Sequence, residues 1–426
     1  MLRFCRIINL NGKINMMHIE LNEDVKYIIN RLKKAGFEAY AVGGCIRDSI
    51  MGLSPGDWDI TTNAKPYEIK KYFKRSIDTG IEHGTVTLLI NKNAYEVTTY
   101  RVDGKYSDGR HPDGVMFCSS LTEDLKRRDF TINAMAYTDD EGLIDSFGGS
   151  EDIKKRTVRC VGDPNERFLE DGLRMLRAVR FCAVLDFKME KNTYEAIKLL
   201  HKRLSSVSSE RIFIELDKIL RSKHPEYIRF IFESGLYKYC FREFDKIDIS
   251  DMELLVYAGA LPNKRYIRWA AFMRNLDVGT IKAIFRGLKA DNECINKTSV
   301  LAQFIKEDIP DSKSGLKRLL LKIGKELLEA VIIIKSSKLA KYDAKLGYLD
   351  AKQFEKIINN LNEIYKYNEP YSIDMLDIDG STLINLGIKE GPQIGIILKK
   401  LLEQVIERPE INSRDILLGC VKDIMS

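Results

Sequence analysis

The first third of the chain combines two spacings of hydrophobic and polar residues. Apolar residues recur three and four apart over residues 25–34, which predicts a helix that ends at Gly36. The next apolar segment, EAYAV at 38–42, has the length and composition of a strand and runs into Gly43 and Gly44. We therefore predict a strand, a glycine turn and a second helix in that order.

Period-two patterns in the same region predict the rest of a small sheet. The strands that they indicate cover residues 58–61, 85–90 and 94–100. A polar turn at 91–93 joins the last two strands as a hairpin. We therefore expect an α+β fold with a small mixed sheet over about residues 22–159.

Beyond Val161 the strand patterns nearly vanish, and helical spacing takes their place. One predicted helix covers 167–181, and a last pair covers 394–407 and 415–424. Because 426 residues exceed what one hydrophobic core usually serves, we expect several domains. The predicted parts are an α+β head and an all-helical neck, body and tail, at residues 17–159, 160–230, 231–312 and 313–426.

Composition narrows the class of protein. Hydrophobic residues make up 44% and charged residues 31%, and no apolar stretch is long enough for a membrane span, so we expect a folded protein without a membrane role. The N-terminal segment MLRFCRIINLNGKINMM has no apolar core typical of a secretory signal. Eight cysteines without a CxxC pair indicate reduced thiols in the cytoplasm. The net charge of +6 permits a polyanionic partner without requiring one.

The sharpest chemical signal is the combination of GGCIRD with DWD within a short segment. Asp57 and Asp59 are two apart on a predicted strand, so both carboxylates are expected on one face, where a hard divalent cation such as Mg²⁺ would relieve their repulsion. Gly43 and Gly44 leave room for a phosphate group near backbone N–H groups, and Arg47 follows one turn later. We predict a metal and phosphate site, although two aspartates near a glycine turn are by themselves more often a solvated loop.

Glu96 lies on the predicted strand 94–100, on the face opposite Val97. It is a candidate third carboxylate or a base for an attacking hydroxyl, and an exposed strand glutamate is the alternative.

A charged stripe follows one side of the predicted helix 167–181. Glu170 and Asp171 are followed by Arg174, Arg177 and Arg180 at spacings of three or four. Ion pairs on an exposed helix would explain such a stripe, but the three arginines exceed the two acids in charge. We predict that the stripe contacts a nucleotide, with Arg177 and Arg180 neutralising phosphate.

The segment at 39–62 that contains these glycines and aspartates resembles the head of the superfamily formed by class II tRNA nucleotidyltransferases (CCA-adding enzymes) and bacterial poly(A) polymerases. Four further segments resemble motifs of the same superfamily: LKRRDFTINAMAY (125–137), LIDSFGGSEDI (143–153), ERFLEDGLRMLRAVRF (166–181) and VSSERIFIEL (207–216). The C-terminal segment GIKEGPQIGIILKKLLEQVI is similar to tail domains of this family.

The resemblance implies a Mg²⁺-dependent nucleotidyltransferase that adds C, C and A to tRNA from CTP and ATP by a two-metal-ion mechanism. It implies that Arg128 and Asp129 address the phosphates and sugar of the nucleotide. Cytosine and adenine both present an amine beside a ring-nitrogen acceptor, so Asp171 and Arg174 together would accept these bases and refuse uracil and guanine. We expect neither DNA nor a membrane as a partner.

Two alternatives stay open on the sequence. A loop at 103–114, which contains Arg110 and His111, is typical of family members that add the terminal A, which argues against an enzyme that adds only C. Nothing in the sequence separates full CCA addition from addition of A alone, so an A-adding enzyme or a poly(A) polymerase remains a rival. A non-catalytic RNA-binding protein is the second rival, but it would leave Asp57 and Asp59 unexplained. The sequence does not identify the residues that contact tRNA.

Overall fold

The computed structural model describes residues 7–8, 14–15, 18–81, 84–103 and 115–425. The described residues form two compact units, the first within 1–245 together with 287–289 and the second within 246–286 and 290–426.

The described strands form one large sheet and three strand pairs. In chain order the strands are β1 (Ile7–Ile8), β2 (Ile14–Asn15), β3 (Ala39–Val42), β4 (Asp59–Thr62), β5 (Ser76–Gly80), β6 (Thr85–Ile90), β7 (Asn93–Thr99), β8 (Arg101–Asp103), β9 (Val115–Phe117), β10 (Ala136–Thr138), β11 (Gly142–Ile144), β12 (Thr157–Val158) and β13 (Lys188–Met189). The seven-stranded sheet has the order β11-β10-β3-β4-β7-β6-β5, in which only β4 and β7 run parallel. The predicted mixed sheet is confirmed.

Helices interrupt the strands in the first part of the chain and then dominate. The first eleven are α1 (Glu23–Lys34), α2 (Gly44–Ile50), α3 (Pro66–Tyr72), α4 (Leu121–Lys126), α5 (Gly149–Lys154), α6 (Pro164–Glu170), α7 (Leu173–Leu185), α8 (Lys191–Leu200), α9 (Ser209–Leu220), α10 (Arg229–Glu233) and α11 (Tyr237–Cys240). The remaining ten are α12 (Leu255–Ala258), α13 (Arg265–Phe272), α14 (Val278–Gly287), α15 (Asn292–Phe304), α16 (Lys313–Lys335), α17 (Lys338–Tyr342), α18 (Ala351–Lys366), α19 (Gly380–Asn385), α20 (Pro392–Glu407) and α21 (Arg414–Met425). The predicted helical character after Val161 is confirmed, apart from the two-residue strand β13.

Local sequence explains several of these elements. The Asn22 side chain caps α1 by accepting from the backbone N–H of Asp24 at 2.8 Å. Asn91 and Lys92 both have positive φ, which matches the right-handed twist of the β6–β7 hairpin that they connect. The hairpin predicted from residues 85–100 is therefore confirmed, with a tight turn between its strands.

The core of the sheet positions β3 and β4 for the site described below. Tyr40 and Val42 of β3 pack with Tyr100, Leu125 and neighbouring apolar residues in one buried cluster. All four residues of β3 and the last three of β4 are buried, while Asp59 at the start of β4 stays exposed.

The second unit has hydrophobic cores of its own. Leu401 and Leu402 of α20 lie in a cluster that includes Leu383 of α19 and Leu417 of α21. The two helices predicted at the C-terminal end of the chain correspond to α20 and α21. None of the helices within the described residues has the length and apolar character needed to cross a membrane.

Candidate active site

The turn between β3 and α2 brings the backbone close to charged side chains. Gly43 has φ of 85° and ψ of −131°, a conformation that residues with a Cβ rarely adopt. A Cβ at this position would lie 3.0 Å from Nη1 of Arg128 and 3.8 Å from Oδ2 of Asp59. Both the dihedral angles and the available space therefore require glycine here.

Arg47 lies one turn into α2 and is held by several contacts. Its Nη1 donates to Oδ1 of Asn133 at 2.6 Å, and its Nε donates to Oδ1 of Asp48 at 2.8 Å. The guanidinium carbon lies 5.3 Å from the ring centroid of Phe181, within cation–π range. These contacts fix the positive charge that the sequence placed after the glycine turn.

Asp59 and Glu96 lie side by side at the edge of this turn. Asp59 is the first residue of β4 and pairs in register with Glu96 of the parallel strand β7, and both side chains are exposed. In-register neighbours in a sheet project to the same face, so the two carboxylates share one face. The prediction that Glu96 lies on a strand is confirmed, and that strand pairs with the one that carries Asp59.

Asp57 lies before β4, so the prediction that it shares a strand with Asp59 is wrong. The ladder partner β3 ends at Val42, opposite Asp59, because Gly43 turns the chain into α2. No strand pairing therefore fixes the direction of the exposed Asp57 side chain.

The pKa of the Asp59 carboxyl is raised in the folded protein. Partial removal from water raises the pKa of Asp59; the charges of Glu96 and Asp57 add to the rise, and Arg128 opposes it. Within residues 18–81, 84–103 and 115–425, no three His, Cys, Asp or Glu side chains form a group that would hold a metal ion. Hard cations are often held by one or two carboxylates together with substrate phosphates, and that donor set fits these residues.

Asp129 is almost buried and is occupied by protein donors. Its Oδ2 accepts from Nε of Arg177 at 2.7 Å, and its Oδ1 accepts from the N–H of Phe130 at 2.8 Å and from Nδ2 of Asn133 at 3.2 Å. Burial alone would raise the pKa of Asp129, but the charges of Arg177 and Arg174 and the hydrogen bonds from Arg177 and Asn133 together outweigh it and lower the pKa to about 2. The carboxylate therefore holds Arg177 in place.

The predicted continuous helix over 167–181 is wrong, because it is broken at Asp171. This residue has extended backbone angles and separates α6 from α7. A Cβ at the next residue, Gly172, would lie 2.6 Å from the carbonyl oxygen of Arg203, so the break allows a close backbone approach. Asp171 Oδ1 accepts from the N–H of Leu173 at 2.9 Å, and its Oδ2 accepts from Nη2 of Arg211 at 2.8 Å.

Arg174 lies in the first turn of α7 and is 9% exposed. Its Nη1 donates to the Glu170 carboxylate and to the carbonyl of Arg167, and its Nη2 donates to the carbonyl of Arg127 at 3.1 Å. The break in the helix therefore does not separate Arg174 from Asp171, since both remain at the start of α7.

Phe181 is surrounded by positive charge. The guanidinium carbons of Arg47, Arg177 and Arg180 lie 5.3, 5.7 and 4.1 Å from its ring centroid. Arg180 also forms an ion pair with Glu215 at 2.6 Å. The face of an aromatic ring attracts cations, so this ring stabilises three arginines that would otherwise repel one another.

The side chains described above surround a cavity of about 430 Å³. Its lining consists of Gly44, Arg47, Asp59, Arg127, Arg128, Asp129, Asn133, Asp171, Arg174, Arg177, Arg180, Phe181 and Arg211. Seven arginines face three aspartates, so the lining has an excess of positive charge suited to a polyphosphate. Of the predicted site residues, Gly43, Asp57 and Glu96 are not part of this lining.

Four lining residues were missed by sequence reasoning. Arg127, Asn133 and Arg211 stand inside the motifs that carry the family resemblance, but nothing in their spacing predicted their contacts. Phe181 has the pattern of an ordinary core residue on a helix. The predicted loop residues Arg110 and His111 lie outside the described residues.

Comparison with known proteins gives matches along most of the chain. Residues 39–159 match the family model described as the Poly A polymerase head domain. Residues 186–248 match the family model described as "Probable RNA and SrmB-binding site of polymerase A", and residues 262–421 match the one described as "tRNA nucleotidyltransferase domain 2 putative".

Individual relatives extend over nearly the whole length. The chain is 37% identical over 409 residues to the CCA-adding enzyme of Ligilactobacillus salivarius, covering 93% of this chain and 95% of the relative. It is 35% identical to the CCA-adding enzyme of Streptococcus suis, with 97% and 99% covered. The solved structure of the Bacillus stearothermophilus CCA-adding enzyme in complex with CTP is similar at a TM-score of 0.78 and 29% identity, with 93% and 95% covered.

Proposed function

This chain belongs to the CCA-adding enzymes, which are tRNA nucleotidyltransferases, and on that premise we propose that it adds C, C and A in turn to the 3′ end of tRNA. The substrates are CTP and ATP, and each addition releases pyrophosphate. The observation that carries the proposal is a single arginine-lined cavity that contains Asp59 together with Asp171 and Arg174. It offers a phosphate site, a base site and an acidic edge within reach of one nucleotide.

We propose that Asp57 and Asp59 hold Mg²⁺. The family resemblance implies two such ions. Bound magnesium would stabilise negative charge on the reacting phosphate and on the oxygens that attack and leave it. Glu96, in register beside Asp59, is the proposed third acid, either as a further ligand or as the acceptor of the proton from the RNA 3′-hydroxyl. The in-register pairing of Asp59 with Glu96, which sets two carboxylates on one face, supports cation binding at this edge.

The arginines are proposed to hold the triphosphate. Gly43 and Gly44 expose backbone at the start of α2, while Arg47, Arg128, Arg177 and Arg180 supply guanidinium donors. Asp129 is proposed to contribute by holding Arg177. Because these groups are fixed before substrate arrives, little reorganisation is needed when the charge of the reacting phosphate changes.

Asp171 and Arg174 are proposed to select the base. The carboxylate would accept from the exocyclic amine of cytosine or adenine, and the guanidinium would donate to the neighbouring ring nitrogen. We predict that Asp171→Ala or Arg174→Ala relaxes the preference for CTP and ATP about 10- to 100-fold, in line with 1–3 kcal/mol for a paired base contact. Offering UTP and GTP one at a time measures this preference, and an unchanged preference in both folded variants would place base selection elsewhere.

A tRNA that ends just before the CCA sequence tests the activity. We expect CTP alone to add two nucleotides and ATP to add one more only after them. A tRNA that already ends in CC is the matched control and should accept only A. If no C is added from CTP but A is added once or repeatedly from ATP, the protein is an A-adding enzyme or a poly(A) polymerase. tRNA binding without any addition would contradict an enzyme.

We propose that the domains along the chain have different roles. The head at 17–159 carries the acids, the neck at 160–230 reads the base, and the body and tail at 231–312 and 313–426 bind tRNA. The cytoplasm is the proposed compartment, in keeping with a tRNA substrate and with the free thiols of the seven cysteines in the described part of the chain.

A further inference from the structure

Asp124 is a fully buried carboxylate on α4 that has no place in the mechanism proposed above. Its exposed fraction is 0%, and it does not line the cavity. A buried charge is costly unless charged partners and hydrogen bonds compensate it, so its contacts indicate what it does.

One oxygen of Asp124 holds Arg127. Oδ1 accepts from Nε of Arg127 at 3.0 Å and from its Nη2 at 2.7 Å. Arg127 lines the cavity, and its backbone carbonyl accepts from Nη2 of Arg174. This oxygen is therefore linked through Arg127 to the arginine proposed to read the base.

The other oxygen faces Arg128 and β4. Oδ2 lies 3.5 Å from Nη2 of Arg128 and accepts from Oγ1 of Thr61 at 3.2 Å. Thr61 is two residues beyond Asp59 on the same strand, and Arg128 is the arginine whose charge acts on Asp59. Nε of Arg128 is buried without a partner among the described residues, so contacts at its Nη2 atom matter for its position.

We propose that Asp124 is a positioning residue for nucleotide binding, which sets Arg127 and Arg128 relative to the strand that carries Asp59. This inference deepens the proposed function and rests on it. One carboxylate joins the base-reading side of the cavity to its acidic edge, because its two oxygens are divided between them. A negative charge is required, since two guanidinium groups share this single buried acid.

Asp124→Asn is the direct test. The amide keeps the shape of the side chain but has one acceptor oxygen, so its NH₂ group must face either Arg127 or the pair formed by Arg128 and Thr61. We expect the KM for CTP and ATP to rise about 10-fold, which corresponds to about 1.4 kcal/mol. We expect kcat at saturating nucleotide to change much less.

A double-mutant cycle distinguishes positioning from a general loss of stability. If Asp124 acts through Arg128, adding Asp124→Asn to Arg128→Ala should raise KM by clearly less than it does alone. The matched control is Asp343→Asn, which removes another buried acid, paired with Arg274 in the second unit. It should reduce stability and leave the KM for CTP unchanged.

An unchanged KM in folded Asp124→Asn, full additivity in the cycle, or an equal rise in Asp343→Asn would overturn the inference. If Asp124→Asn does not fold, Thr61→Val decides, because it keeps the shape of the side chain and removes the hydroxyl, which lies 3.2 Å from Oδ2 of Asp124 and 3.3 Å from the carbonyl oxygen of Thr98. It should raise the KM about 3-fold, or about 0.7 kcal/mol, and no change would count against the inference. If the wild-type protein extends no tRNA, equilibrium binding of CTP in the absence of tRNA measures the effect of each substitution on nucleotide affinity instead. Failure of the proposed function and failure of this inference therefore remain distinguishable.

Discussion

At the scale of single residues, the charged side chains of the cavity are held by partners before any substrate binds. The pairs that show this are Asp129 with Arg177, Glu170 with Arg174, and Asp171 with Arg211. Preorganised charges of this kind lose little free energy to rearrangement during a reaction. The same ion pairs also contribute to stability, so their removal has a measurable cost in the free protein.

The lowered pKa of Asp129 predicts how the free energy of unfolding changes with pH. Its pKa falls from the ordinary 3.8 to about 2 in the folded protein, so its contribution to the free energy of unfolding is complete above about 3.8 and is lost as the pH falls towards 2. We expect Asp129→Asn to lower the free energy of unfolding by about 2 kcal/mol at pH 7. The difference from wild type should shrink below pH 4.

Urea unfolding of the first unit, followed from pH 7 downwards, measures this difference. The control is Asp140→Asn, since the Asp140 side chain is 72% exposed and its removal should matter little. A difference between wild type and Asp129→Asn that is constant over this pH range would contradict the role given to Arg177.

At the scale of elements, the break between α6 and α7 shapes the end of the cavity that is proposed to read the base. The break leaves Asp171 outside both helices, where it caps α7 and contacts Arg211. It depends on Gly172, whose backbone approaches the 3₁₀ segment His201–Ser206 closely. A side chain at this position would push α7 away from that segment.

We predict that Gly172→Ala lowers the free energy of unfolding by about 1–3 kcal/mol through overpacking. It should also raise the KM for CTP, because Asp171 and Arg174 flank the shifted backbone. Urea unfolding and CTP titration measure the two effects. Gly419→Ala on α21 is the control, as its Cβ would meet nothing within 4 Å, and it should be neutral or mildly stabilising. Equal stability of Gly172→Ala and wild type would refute the packing argument.

At the scale of the whole molecule, the chain consists of two compact units with separate cores. The cavity lies entirely in the first unit, while Leu401 is fully buried in a core of the second. A ligand that binds only the folded form of one unit should stabilise that unit selectively.

Calorimetry can assign each unfolding transition to one of the two units. Leu401→Ala should lower one unfolding transition, with a loss of about 2–5 kcal/mol typical of such core truncations. CTP at about 100 times its Kd should stabilise the other transition by about 3 kcal/mol. If CTP instead raises the transition that Leu401→Ala lowers, nucleotide binding has been placed in the wrong unit.

The sequence predicted those parts of the fold that depend on local patterns. The strand before Gly43 and the hairpin through Asn91 and Lys92 follow from alternation and turn chemistry over a few residues. The helical remainder follows from a spacing that continues over long stretches. The approach of Arg128 to Gly43 was not predicted, although both residues lie in segments that resemble motifs of the family.

Contacts between distant segments account for the errors. The helix break at Asp171 depends on the backbone of Arg203, which the local pattern of α7 does not encode. The position of Asp57 depends on where β3 ends, and the contact of Asp124 with Thr61 joins residues 63 apart in the chain. The candidate site residues were nevertheless largely brought together, because the motifs that contain them surround one cavity.

The most direct test of the account is single-turnover addition of CMP to tRNA by Asp59→Ala, with CTP binding and folding measured on the same sample. We predict that addition is abolished while the fold is retained and CTP still binds through the arginine-lined cavity. Asp140→Ala serves as the surface control and should add CMP normally. Addition by folded Asp59→Ala at the wild-type rate would contradict the claim that the acids at the start of β4 carry the reaction.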